Sequence, residues 1–418
     1  MANHFDALET RAPEDREAAF FRDLRALLDT AGSELPALTK RLYGFPIRAL
    51  TDRAALSRIP VLRKPELMEM QAADPPFGGL VRPAMLKGSR VFLSPGPVFE
   101  PQGPGADPWS AARALFAAGV RAGDIVHNSF SYHMTPGAFI LDEGARALGC
   151  LVFPAGVGDS EAQIDVAARL KPSVYTGTPD FLKIMIEKAA QQGLDLSSFR
   201  RALVSGGALF PSLREYYRNR GIMVLQAYAT ADLGVVAYES ADENGDAYPG
   251  LVVNESCLVE IVRPGTDDPV ADGEVGEIVV TTLNPAYPLI RFGTGDLSAV
   301  MAGTSPCGRT NRRIQGWMGR ADQRVKIKGL FVDPRQIADL TRRHPEIGRA
   351  RLVVTRHDDQ DSMELVIEPA SGDMTIGTAP IAQSLTEITR LKGKVTVVAR
   401  DSLPNDGKVI ADERDYAS

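Results

Sequence analysis

The chain has 418 residues, more than one hydrophobic core usually organises, so two or more domains are expected. Apolar residues make up 44% and charged residues 24%, the balance of an ordinary globular protein. A net charge of −6 leaves no electrostatic footprint for nucleic acid or an anionic membrane, and points to an enzyme or binding protein for small molecules.

Residues 1–20 carry acids and arginines where a secretory leader needs an apolar run. No later stretch is long and apolar enough to span a bilayer. Cys150, Cys257 and Cys307 lie far apart and form no CxxC pair, so neither a disulfide framework nor a redox motif is indicated. A cytoplasmic protein without a membrane partner is expected.

Residues 13–31 place Phe20, Leu24, Leu27 and Leu28 at helical spacing behind acids, which predicts an amphipathic helix. From about residue 123, short apolar runs alternate with helical segments. "DIVHNSF", "CLVFPAG", "PSVYTGT", "FRRALVSG" and "IMVLQAY" read as strands, with helices over "GAFILDEGARALG", "EAQIDVAARL", "PDFLKIMIEKAAQQG" and "PSLREYYRNRG" between them. That alternation predicts a mostly parallel sheet wrapped by helices, with ligands at the C-terminal ends of the strands. The tails "PAGVGDS", "TGTPD", "SGGALF" and "AYATADLG" should then meet in one crevice. Beyond residue 250 the texture turns to β, "LVVNESCLVEIVRP" and "EIVVTTL" reading as antiparallel strands of a distorted barrel or side sheet. A charged connector, "GWMGRADQRVKIKG", leads to a small α+β tail with a helix at "DPRQIADLTRRH" and a strand at "RARLVVTR". The main boundary is placed at residue 320, giving domains 1–319 and 320–418.

Four stretches, in order, resemble adenylate-forming enzymes, most closely the phenylacetate–CoA ligase branch. "TTLNPAYPLIRFGTGDLS" resembles the family's "TTL…PLIRYRTGD", and "GRADQRVKIKGLFVDPRQI" its "GRSDDM…RG…FPxQIE" hinge region. "RAGDIVHNSFSYHMTPGAF" is similar to "GDxVHNxYGYGLFTGG", and "LPNDGKVIADERD" to "LPR…GKxxRV". The resemblance implies an α/β fold in which a large N-terminal domain, parallel sheets plus a distorted β-barrel, binds ATP and a carboxylic acid. A small mobile α+β domain follows, and a homodimer is the family expectation.

Carried over residue by residue, Asp296 would hold both ribose hydroxyls of ATP or AMP, although a turn-capping aspartate would look alike. Arg291 would orient that loop or pack at the surface. Tyr228 would stack on adenine or simply fill a strand end. Gly206, Gly207 and Ala208 would let backbone approach the base, though a plain tight turn has the same composition. Arg320 would reach nucleotide oxygens and Asp322 would be the hinge, against the alternative of a solvated connector. Lys408 would bridge carboxylate and α-phosphate oxygens, against that of a surface turn. Phe130, Tyr132 and His133 fall where the family lines its acid pocket, a place where core aromatics are also common.

The chain departs from the family at its phosphate loop. Aligned on Ser94, Gly96 and Pro101, "SSGTTGKP" has become "SPGPVFEP": two hydroxyls, a glycine and the lysine give way to Pro97, Val98, Phe99 and Glu100. Proline deletes backbone donors, so the usual nest of N–H groups cannot form, and Glu100 adds repulsion where a cation helped. Ala231 and Asp232 stand in "YATAD" where the family has a hydroxyl and a longer glutamate for Mg²⁺, which puts direct coordination by Asp232 in doubt. Of the family's zinc ligands only Cys307 remains, with Ser240 at another position, so no zinc is expected. Three functions stay open. One is an AMP-forming ligase that joins a carboxylic acid to CoA. Another is a degenerate homologue that binds nucleotide, acyl-adenylate or aryl acid, and the third an acyltransferase fed by a ready-made activated acyl group.

Overall fold

The structure is a computed structural model, and it describes residues 4–31, 34–94, 96–321, 323–327, 330–357, 360–371 and 374–414. The helix expected near the N-terminus spans Pro13–Ala31, and Phe20, Leu24, Leu27 and Leu28 face its core. The parallel strands run in the order Met223–Thr230, Arg201–Val204, Val174–Gly177, Ile125–Asn128 and Leu151–Phe153. Val174–Gly177, in the middle, is buried throughout, as a strand covered on both faces must be. The connecting helices are Gly137–Ala147, Ser160–Leu170, Pro179–Gln191 and Pro211–Arg218, each where helical periodicity predicts one. Beyond Met223–Thr230 the sheet continues antiparallel through Gly234–Tyr238, Leu251–Val253 and Arg313–Ile314.

The β region after residue 250 does not close into the expected barrel. Among the described residues it forms an open four-stranded sheet, ordered Leu62–Arg63, Phe292–Ser298, Gly276–Thr282 and Cys257–Val262. Four strands are too few to enclose a core, since side chains fill a closed barrel at about eight. The edge strand is only two residues long and pairs parallel with Phe292 and Gly293.

The chain divides into two compact units: residues 1–259, 280–294 and 301–316, and residues 260–279, 295–300 and 317–418. The line drawn from the sequence at residue 320 falls close to Trp317, where the last segment of the second unit starts. Two β segments ahead of that line also cluster with the second unit. The second unit contains a sheet ordered Lys394–Val397, Gln360–Pro369, Ile347–His357 and Ile410–Asp412, with helices Pro334–Arg343 and Thr378–Thr389. Its core is built on Ile337, Leu340, Leu352, Val354, Leu365, Ile367, Ile381 and Leu385. Pro334–Arg343 starts on a capping box: Asp333 caps the helix and Gln336 Oε1 accepts from the Asp333 N–H at 3.0 Å. Among the described residues no helix is long and apolar enough to cross a membrane.

Candidate active site

In the first unit, the residues after the parallel strands meet as a doubly wound sheet requires. Gly206 has φ +71°, and a Cβ there would stand 3.7 Å from Phe130 Cε1. A Cβ on Gly207 would come within 3.1 Å of Pro179 Cδ, and one on Gly156 within 3.9 Å of Tyr132 Cδ2. Phe130, Tyr132, Pro179 and the glycines of two further loops therefore share one crevice, with Gly206, Gly207 and Ala208 exposed. Tyr132 is fixed there: its hydroxyl donates to Asp142 Oδ2 at 2.7 Å and accepts from Asn128 Nδ2 at 2.8 Å. Burial, together with the Asp142 charge, keeps that phenol protonated far above the usual tyrosine range. Tyr228 lies buried on Met223–Thr230, opposite Ala237.

His133, expected to line the pocket, is exposed; the next residue, Met134, has φ +61° and is 54% exposed, so the chain turns outward here. Arg291, grouped with the nucleotide contacts, is fully buried. Its guanidinium donates to Ser57 O at 2.8 Å and Ile59 O at 2.5 Å, while its carbonyl accepts from Leu62 N at 2.8 Å. Arg291 thus ties residues 57–62 to the strand carrying the "RFGTGD" motif.

The altered loop is a β-hairpin, Val91–Ser94 against Val98–Pro101, with Phe92 opposite Glu100 and Ser94 opposite Val98. Strand alternation turns Val98 and Glu100 inward and Phe99 outward, where its backbone is held by Gln71 at 2.8 and 2.9 Å. Glu100 is 2% exposed and accepts from Ser94 Oγ at 2.7 Å. Asp232 lies beside it, and Lys64 Nζ stands 3.4 Å from both Asp232 Oδ2 and Ser94 Oγ. Burial first, and then the neighbouring Asp232 charge, raise the Glu100 carboxyl well above the usual carboxylate range. Gly96 closes on the same lysine: a Cβ there would lie 3.2 Å from Lys64 Cε. Sequence reasoning missed Lys64, which starts the helix Lys64–Ala73. No spacing rule links it to residues 94–100 or 232.

In the second unit, Asp296 Oδ1 accepts from Trp317 Nε1 at 3.0 Å and from Arg320 Nη1 at 3.1 Å. Gly295, at φ +73°, leaves room for that arginine: a Cβ would stand 2.6 Å from Arg320 Nη2. Lys408 is exposed on a tightly tied loop. The Gln323 side chain donates to Gly407 O at 2.8 Å and accepts from Val409 N at 2.6 Å and Ile410 N at 2.9 Å. Arg351 adds a two-pronged ion pair to Asp406 at 2.8 and 3.0 Å. The hinge assignment, Asp322, lies outside the described residues. Back in the first unit, Cys307 Sγ is within 3.0 Å of Ser305 Oγ and 3.6 Å of Arg309 Nη1. Among the described residues no group of three or more histidine, cysteine or acidic side chains could hold a metal.

A crevice at the strand ends beside exposed glycines, followed by a β region and a small α+β unit, defines the class of AMP-binding, adenylate-forming enzymes. The AMP-binding enzyme family pattern matches residues 132–286. A phenylacetate–coenzyme A ligase of Thermus thermophilus is 30% identical over 358 residues, covering 82% of this chain and 76% of that protein. The Escherichia coli phenylacetate–coenzyme A ligase is 27% identical over 424 residues, covering 97% and 94%. The crystal structure of a 2-hydroxyisobutyryl-CoA ligase, solved with its acyl-adenylate and CoA, shares the fold over 99% of this chain and 93% of that one. Its TM-score is 0.69 at 24% identity. The chain belongs to the adenylate-forming enzymes, in their phenylacetate–CoA ligase-like branch.

Proposed function

We propose that the protein is an AMP-forming acid–thiol ligase, acting on an aryl carboxylic acid. In the first half-reaction the carboxylate attacks the α-phosphorus of ATP and releases pyrophosphate. In the second, the CoA thiol attacks the acyl carbon and releases AMP. Phe130 and Tyr132 would wall the acid, Tyr132 held rigid by Asp142 and Asn128. The open backbone of Gly206–Ala208 would lie along the base with Tyr228. Asp296 would take the ribose diol, with Arg320 at its side and Lys408 the cation for the oxygens that gain charge. Asp322 would be the hinge between the two half-reactions.

The observation that carries this reading is Asp296. A carboxylate 9% exposed and anchored by an indole N–H and a guanidinium is a pre-aimed acceptor, as a vicinal diol needs. The test is incubation with ATP, Mg²⁺, CoA and a panel of aryl and alkyl acids, following acid-dependent pyrophosphate release and acyl-CoA mass. Pyrophosphate and thioester are expected together with an aryl acid. Their absence across the panel overturns the proposal.

The buried Glu100–Asp232 pair favours a second reading, in which the enzyme receives a preformed acyl-adenylate and carries out only thioester formation. Acyl-CoA from a synthetic acyl-adenylate plus CoA, with no pyrophosphate release from ATP and acid, would select it.

A further inference from the structure

Away from the strand-end crevice, the second unit holds a cavity of about 260 Å³ with a basic lining. Four segments bring cations to it. The turn after Cys257–Val262 supplies Arg263, the helix Pro334–Arg343 supplies Arg342, the strand Ile347–His357 supplies Arg349 and Arg351, and the loop before Ile410–Asp412 supplies Lys408. Arg349 and Arg351, two residues apart, lie on one face of their strand. Gly265, at φ +82°, lets the turn close on the start of the helix, since a Cβ there would stand 2.8 Å from the Pro334 carbonyl carbon. Asn405 anchors the loop: its side chain accepts from Val275 N and donates to Gly273 O, both at 3.0 Å.

The five cations are not equally neutralised. Arg351 is paired with Asp406 at 2.8 and 3.0 Å, and Arg342 with Asp339 at 2.9 Å. Arg263 stands 3.5 Å from Glu274 and Arg349 3.8 Å from Glu368, longer than the roughly 2.7–2.9 Å of a charge-assisted hydrogen bond. The Arg349 guanidinium is held by the carbonyls of Leu403 at 3.1 Å and Pro404 at 3.0 Å, which orient it without cancelling its charge. Lys408 is exposed, and its ammonium makes no ion pair among the described residues. Asp268, on the lining, is exposed to solvent.

We propose that this cavity binds a small, multiply charged phosphate anion, inorganic pyrophosphate, through Arg263, Arg349 and Lys408. Guanidinium groups match phosphate oxygens in charge and geometry. Three under-neutralised cations on three separate segments call for a ligand charged at both ends, which a diphosphate is and a monocarboxylate is not. Lys408 is also the cation that the ligase reading gives to adenylation. Pyrophosphate released by the first half-reaction would hold that ammonium at the cavity and slow the next turnover. This feedback rests on the ligase reading; the anion site does not.

The test is calorimetric titration of the full chain with pyrophosphate, without metal or nucleotide. One saturable pyrophosphate per chain is expected, weakened roughly tenfold in Arg263→Gln and in Arg349→Gln by the loss of one charge-assisted hydrogen bond. Circular dichroism establishes that each variant is folded; the Arg263 side chain is 41% exposed, so its replacement keeps the test decisive if Arg349→Gln loosens the loop. Adenosine 3′,5′-bisphosphate, with two separated monophosphates like the nucleotide end of CoA, should bind more weakly than pyrophosphate. No saturable binding up to millimolar pyrophosphate, unchanged binding in folded Arg263→Gln, or tighter binding of the bisphosphate overturns the site. Pyrophosphate should also inhibit acyl-CoA formation at saturating ATP, and inhibition abolished by excess ATP would refute the feedback. Binding that Arg263→Gln weakens, with no acyl-CoA from any acid, would sink the ligase proposal and leave the site standing. Acyl-CoA formation with binding untouched by Arg263→Gln would do the reverse.

Discussion

Replacing Asp296 by alanine should weaken AMP binding by roughly two orders of magnitude. The ribose diol offers two O–H donors, and a hydrogen bond to a charged acceptor contributes about 1.5–3 kcal/mol net. Asp296 Oδ1 already accepts from Trp317 at 3.0 Å and Arg320 at 3.1 Å, so binding exchanges partners in part, and the low end applies. Two bonds at about 1.5 kcal/mol give about 3 kcal/mol, and each 1.4 kcal/mol is tenfold in affinity. The ion pair lost with the carboxylate is a small stability term, because the Arg320 side chain is 53% exposed. Asp296→Asn keeps the shape and one acceptor oxygen, and should fall between wild type and alanine. Isothermal calorimetry with AMP measures all three. An alanine variant within threefold of wild type would mean that the ribose is held elsewhere.

The eroded loop can be rebuilt by Pro95→Ser, Pro97→Thr, Val98→Thr, Phe99→Gly and Glu100→Lys, together with Ala231→Ser and Asp232→Glu. One well-placed donor to a developing anion contributes about 3 kcal/mol, so at least a tenfold gain in acid-dependent pyrophosphate release over the natural chain is expected. An unchanged rate would place the triphosphate away from this hairpin. Metal analysis of purified protein should find no stoichiometric zinc, because Cys307 is the only thiolate kept from the family set; one zinc per chain would refute that alignment. His127, stacked on Tyr175 and tilted against Phe153, has its pKa lowered from 6.5, chiefly by burial. The unfolded chain therefore binds the proton more readily. The contribution of neutral His127 is complete above pH 6.5 and declines as pH falls below it toward the lowered folded value. Denaturant midpoints should accordingly fall as the pH is lowered below about 6.5. His127→Gln should flatten that slope, and an equal slope in both proteins would refute the assignment.

The parallel sheet was legible because its strands read as short apolar runs, most clearly Val174–Gly177, which is buried throughout, spaced by amphipathic helices. The β region was not. The pairing that makes it an open sheet joins Leu62 to Phe292, residues far apart in the chain, and a two-residue strand carries no periodic signal. That same pairing delivers Lys64 to Ser94 and Asp232, so the cation of the site was hidden for the reason the sheet was. Arg291 shows a different limit. A motif match fixes where a residue stands in the chain and says nothing of where its side chain points, and this guanidinium faces the carbonyls of residues 57 and 59.

Glu100 lies between these cases. Taken as a loop residue in a damaged cradle, its carboxylate has no direction. Read as the third residue of the strand Val98–Pro101, it must lie on the same side as Val98 and opposite Phe99, because side chains alternate across a strand. Val98, fully buried, marks the inner side, and a carboxyl on that side needs a partner. The substitution that reads as the loss of a phosphate site is, by direction alone, the placement of an acid against Asp232. The alternation in "VFEP" already contained that conclusion, and recognising it required only that the stretch be treated as a strand.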